Sequence, residues 1–502
     1  MSLNASALYS YHAAAIVDLR DGEPMKEWIT VLVLLCAGRG HAQTAIQYHL
    51  AYPVAGASTV HVRIDLPSSS PAPLTLVVPR NYPGGYGLVP YDSFVENVQA
   101  FSDQGKPLAV KRNPYGPRWM LGSGGQKLGR VEYSVDVVHM EAQIANGVNT
   151  SKVRPRYAGL FGYSVFAYID GMEGAQIALR VDGPPDWPVF STITPAVPAP
   201  LHSASVSAAN YYALADSEIL MGPDLQLHRF DGQIALVMAV YAEGDADLAS
   251  QTDMARTALD RVQRYFGDAP FPTYTVQREV LKPLPGHNYF FSQEHLNSGT
   301  FISSTEEFAA TRATPQQRED NLINYAHHIA HSWVPKRAYG EGYMPFLWEM
   351  PPVIDTIWFN EGFGRYAGIA ALADGMTKQE GEDFRRRHLA RLQGIVDNAP
   401  DFIRRMPTVV LSREASFLYE DDFRTGMNIF SRGSLMAAEM DDRIRLQTQG
   451  KQSLRDAMRA IVLRTQQEQR PFKIDELAPI FKQATGVDVN DILQRWLQPL
   501  VR

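Results

Sequence analysis

His327 and His331 stand four residues apart in the segment NLINYAHHIAHSWVPKR, Asn321 to Arg337. On a helix that spacing puts two imidazoles on one face, where both reach a single metal ion. The helical pattern stops just before Pro335. Thirty residues past His331, the largely apolar run DTIWFNEGFGRYAGIAAL carries Glu361. Two imidazoles and one carboxylate suit tetrahedral zinc with a position left open for water, and equally an iron-type facial triad. A histidine pair at this spacing also arises from two side chains hydrogen-bonded on a helix; the Trp-x-x-Glu-Gly segment supplies the third donor.

Composition limits what else could take part. The 502 residues are 45% apolar and 20% charged, with 47 Lys and Arg against 54 Asp and Glu, a net charge of −7. A disordered chain would be poorer in apolar groups and a nucleic-acid binder richer in Lys and Arg, so neither class fits and no nucleic-acid partner is expected. The single cysteine, Cys36, excludes a disulfide framework and a thiolate metal cage. Chemistry must therefore come from His, Asp, Glu and Tyr.

These groups need elements to position them. Residues 28–37, WITVLVLLCA, form an apolar run too short to span a bilayer, followed by small residues suited to cleavage. We read a signal peptide over residues 25–42, starting at Met25 and cut near Ala42, with 1–24 an upstream extension; the mature protein is expected in the periplasm or outside the cell. From Gln43 to about residue 245, short alternating runs such as STVHVRIDL and RVEYSVDVV, separated by Pro, Gly and Ser, predict an all-β sandwich or saddle. From 246 to 502, longer periodic segments such as DLASQTDMARTALDRVQRYF predict a mostly helical domain, interrupted by a few strands between Thr273 and Ser304. Asp397 to Arg424 reads as a long loop with a short helix. The fold class is thus α+β, multidomain.

HHIAHSWVPKR followed by WFNEGFGRY resembles the glycyl aminopeptidase family of gluzincin metallopeptidases, whose pattern is His-Glu-x-x-His-x-Trp and a downstream Trp-x-x-Glu-Gly-Phe. The resemblance extends through VVPRNYPGGYGLVPYDSF, with the family's Pro-Gly-x-Tyr turn, through FSQEHLNSG, and through IFSRGSLMAAEMDD to SLRDAMR. It implies an N-terminal β domain on a thermolysin-like domain, with the site between them. A PDZ-like domain common in the family is not expected, the chain ending at Arg502. The resemblance makes His327, His331 and Glu361 ligands of zinc, and Glu294, beside His295, the carboxylate for a substrate amine. Asn360 and the Lys336-Arg337 pair are read as structural. The implied partner is a small-molecule or peptide substrate with a free amine, and no membrane span is expected.

Two positions depart from the family pattern. His328 replaces the glutamate that serves as general base, and Phe430 stands where the family has an oxyanion-stabilising tyrosine. Zinc still acidifies bound water to a pKa of about 7 without a protein base. An imidazolium ~5 Å from a net charge near +1, at an effective dielectric of ~20, is disfavoured by roughly 3 kcal/mol, so His328 is a poor proton carrier. Tyr419 or Tyr325 are candidates to restore the hydroxyl. The first reading is a divergent zinc hydrolase of aminopeptidase ancestry that cleaves amides poorly. The alternatives are a catalytically silent homologue that binds peptides or proteins, and a metal-dependent lyase or isomerase.

Overall fold

In the strand Thr59–Asp65, Val60, Val62 and Ile64 are buried while His61 and Arg63 are exposed. That period of two marks a sheet with one face on a core and one in water. The computed structural model describes residues 45–67, 70–144, 149–419 and 421–500. The signal peptide expected at 25–42, the extension before it and Cys36 lie outside the described residues. The strand belongs to a seven-stranded sheet ordered Ser203–Ala208, Ile177–Asp182, Ile46–Ala51, Thr59–Asp65, Leu128–Asp136, Val95–Ser102, Pro107–Leu108. All its pairings are antiparallel except that of Ile46–Ala51 with Ile177–Asp182. Two four-stranded sheets complete the β-rich half.

A further five-stranded sheet runs Gln226–Phe230, Ala235–Ala242, Thr273–Leu281, Ser298–Ser304, Phe290–Glu294. Its three inner strands are parallel, and Leu248–Phe266 is the crossover helix between the first two. In Ala235–Ala242, Leu236, Met238 and Val240 join the core beneath the helices, while Val237, Ala239 and Tyr241 join the core of the β-rich half. Both faces are covered, so the strand is continuously apolar rather than alternating. The sequence expectation placed this strand in the N-terminal domain, ending near 245. Its hydrogen bonds instead group residues 226–242 with the strands that follow.

The remainder is helical. The helix Pro315–His331, which carries His327 and His331, starts with Thr314 capping Gln317 N and Pro315 in its first turn. Glu361 lies in a π-helical segment, Trp358–Phe363, that leads into the helix Gly364–Ala373. The loop expected over Asp397 to Arg424 contains two helices, Asp401–Arg404 and Thr408–Leu418. In the second, Thr408, Leu411, Ser412, Ala415 and Ser416 are buried; three of these five are hydroxyl residues, which hid the helical stripe behind a loop-like composition. No helix among the described residues is long and apolar enough to cross a membrane.

Candidate metal centre

The end of the Pro315–His331 helix and the π-helical segment bring three side chains together. His327 Nε2 and His331 Nε2 are 3.1 Å apart, and Glu361 Oε2 lies 3.5 Å from the first and 3.3 Å from the second. A tetrahedron with metal-ligand bonds of ~2.0–2.1 Å has edges of about 3.3 Å. The donors therefore already stand at the spacing one ion requires, and all three residues are buried. His331 Nδ1 donates to Val334 O at 2.7 Å, which leaves Nε2 as the free donor atom. His327 Nδ1 is buried without a hydrogen-bond partner.

The electrostatics ask for a cation at the same place. Burial opposes protonation of His331, but Glu294 and Glu361 outweigh it and push this imidazole up to about 9. Burial, with His331 and His328 alongside, holds His327 well below its ordinary value. Two nitrogen lone pairs and a carboxylate facing one another need positive charge between them, and a proton on His331 or a metal ion supplies it.

A cavity of about 1040 Å³ opens onto these groups, walled by the turn at Gly84 and Tyr86, the edge strand Phe290–Glu294, and helical residues including His327, His328, Glu361 and Phe430. Gly84 has φ of +93° and packs so tightly on the edge strand that a Cβ there would lie 2.3 Å from both Gln293 Nε2 and Glu294 Oε1. Only glycine meets both conditions. Gln293 Nε2 and Lys336 Nζ both donate to Pro83 O, pinning this turn against the second half of the chain.

Sequence-expected residues fall in several places. Glu294 lies at the inner end of the edge strand, with Oε2 3.5 Å from His328 Nδ1. Burial pushes the Glu294 carboxyl up, but His331 and His328 outweigh it and hold it below the usual carboxylate range. Burial also draws His328 below its ordinary value against the pull of Glu294, so its ring is neutral near pH 7. The Phe430 ring sits 5.3 Å from that of His327. Tyr419 lines the cavity, its ring 5.3 Å from that of Tyr86.

Others stand away from the cavity. The Tyr325 hydroxyl donates to Gln251 at 2.8 Å, so it cannot restore the missing group. His295, expected beside the substrate, is fully buried and does not line the cavity. Its ring nitrogens face Asp216 at 3.0 Å and Glu218 at 3.1 Å. Lys336 is buried against Asp216, and Arg337 donates to Leu296 O, Ser332 O and Asn297. Asn360 is buried outside the cavity wall.

Two wall residues were missed by sequence reasoning. The Tyr86 hydroxyl donates to Glu361 Oε1 at 2.8 Å, orienting the carboxylate from the β-rich half. Its signal was the Pro-Gly-x-Tyr turn, whose partner no spacing reveals. Arg365, four residues beyond Glu361, also faces the cavity. The i to i+4 spacing could have flagged it.

Residues 47–223 match the family described as Peptidase M61 N-terminal domain. Comparison with curated protein sequences gives no match. Among solved structures, an aminopeptidase N family protein from Idiomarina loihiensis is similar with a TM-score of 0.73 at 21% identity, over 90% of this chain and 76% of that one. An M1 zinc metallopeptidase from Deinococcus radiodurans gives a TM-score of 0.53 at 15% identity, over 91% and 94% of the two chains. A mutant of that metallopeptidase, bound to a Tyr-ser-ala substrate, gives 0.52 at 14% identity, over 91% and 94%. Residues 47–223 thus resemble a peptidase M61 N-terminal domain, the fold resembles that of M1 zinc metallopeptidases, and the buried histidines stand where they could hold a metal ion.

Proposed function

We propose that this protein is a divergent zinc-dependent hydrolase of glycyl aminopeptidase ancestry, acting on a substrate with a free amine. The observation that carries it is the donor triangle of His327, His331 and Glu361, with edges of 3.1, 3.3 and 3.5 Å, two of whose members, His327 and Glu361, line a large cavity. A zinc ion there supplies Lewis-acid polarisation of a carbonyl and water acidified to near neutral pH. Glu294 receives the substrate ammonium at the end of the edge strand. Tyr86 holds Glu361 in place. Neutral His328 accepts a hydrogen bond at a ring nitrogen but carries a proton poorly beside a cation. Phe430 gives the site an apolar wall and no hydroxyl donor, a loss that typically costs ~10²- to 10³-fold in rate. Esters and other undemanding bonds are therefore the expected substrates, rather than amides.

Turnover of amino-acyl esters and the matching amides by zinc-loaded protein tests this reading. Ester cleavage should exceed amide cleavage, and His328→Glu combined with Phe430→Tyr should raise the amide rate. No turnover of either substrate, before or after that double change, overturns it. Phe430 against His327 and the weakened basicity of His328 favour a second reading, a silent homologue that binds peptides in the same cavity. Peptide binding undiminished by His327→Ala would select it. We further place the protein in the periplasm or outside the cell, which N-terminal sequencing of exported protein, beginning near Gln43, would test.

A further inference from the structure

Arg365 is a cavity-wall cation that the chemistry above leaves without a task. It follows Glu361 by four residues, about one turn along the same helical face. It lines the cavity together with Glu294 and the metal donors His327 and Glu361. Its Nε is buried without a hydrogen-bond partner, and among the described residues the guanidinium has no ion pair. Several other arginines of the helical half are matched by acids, Arg385 by Asp441, Arg391 by Asp320 and Arg413 by Asp355, and the buried Arg432 is satisfied by the backbone carbonyls of Met406 and Ile403. The acids that act on Arg365 are committed elsewhere, Asp320 to Arg391 at 2.7 Å and Glu361 to Tyr86 and the histidines. A guanidinium drawn out of water without a counter-charge is costly, and a ligand carboxylate is the group its planar fork fits best.

Opposite charges thus enter one cavity from different elements, Glu294 from the edge strand and Arg365 from the helix after the π-helical segment, with the metal donors sharing the wall. We propose that Arg365 binds the carboxylate of a zwitterionic ligand, a short peptide whose N-terminal ammonium is held by Glu294. This assignment rests on the amine-binding part of the function proposed above. Tyr86, Phe290 and Phe430 add aromatic surface to the same cavity, and a guanidinium meets a carboxylate there through a bidentate charge-assisted contact. We assign this carboxylate to the C-terminus of the peptide rather than to an acidic side chain.

Equilibrium binding to the zinc-loaded full chain separates these cases without turnover. The probes are reduced-amide di- and tripeptides in three forms: free acid, C-terminal amide, and C-terminal amide with a glutamate side chain. Wild type should bind the free acid at least tenfold tighter than the plain amide. Arg365→Gln should abolish that preference while leaving amide affinity unchanged, and Arg365→Lys should keep part of it. A preference for the glutamate-bearing amide over the free acid would locate the carboxylate on a side chain and overturn the C-terminal assignment. Equal affinities in wild type, no binding of any probe, or a preference that survives Arg365→Gln overturns the proposal. Lost carboxylate preference with ester turnover intact removes Arg365 alone. An intact preference without turnover removes the hydrolase and leaves Arg365 standing.

Discussion

Three side chains and one orienting hydroxyl make up the candidate metal centre. Replacing His327, His331 or Glu361 by Ala should reduce bound zinc from about one equivalent per chain to almost none, read by elemental analysis after loading and dialysis. Glu294→Gln should keep the metal while weakening amine-bearing ligands. Tyr86→Phe removes the hydrogen bond to the Glu361 oxygen that does not face the histidines, a change that typically weakens metal affinity ~10- to 100-fold. Chelator competition measures it, and an unchanged zinc Kd would deny Tyr86 that role. The histidine pair was legible because four-residue spacing is a local fact of helices. Tyr86 was not, because it meets Glu361 across 275 residues of sequence, a contact made only by the fold.

At the level of elements, the π-helical turn at Trp358–Phe363 and the helix Phe423–Gln447 approach backbone to backbone. A Cβ on Gly433 would lie 1.9 Å from Trp358 O, so Gly433→Ala must push these elements apart. Overpacking of this kind typically costs about 1–3 kcal/mol, and urea unfolding should show a loss of at least that size, together with weaker zinc binding because Glu361 rides on the displaced turn. Stability equal to wild type would contradict the close packing. The helix Pro315–His331 was legible from its His spacing and from Pro335 beyond its end. Thr408–Leu418 stayed hidden because its buried face includes Thr408, Ser412 and Ser416, polar types that settle inward only once neighbouring helices are in place.

Across the whole molecule, the five-stranded sheet is a layer shared by two cores, which is why two of its strands, Gln226–Phe230 and Ala235–Ala242, read as β-domain material in sequence and yet pair in space with the strands that follow. A buried charge cluster crosses the same seam: Asp216 and Glu218 from the β-rich half face His295 and Lys336 from the other. Burial works against the His295 imidazolium, but Glu218 and Asp216 raise it above its ordinary value. The folded pKa thus exceeds the unfolded one of about 6.5, so its contribution to stability is fully present below that pH and is lost as pH rises through the raised value. Thermal unfolding should therefore show wild type losing stability more steeply than His295→Gln on moving from about pH 6 to higher pH; parallel profiles would show that this group does not titrate in the seam.

Zinc X-ray absorption on the loaded full chain tests the metal centre most directly. One zinc per chain with a first shell of two imidazole nitrogens and carboxylate oxygen, reduced to unbound zinc in His331→Ala, is the expected result. A shell lacking imidazole, or occupancy indifferent to His331, would contradict it.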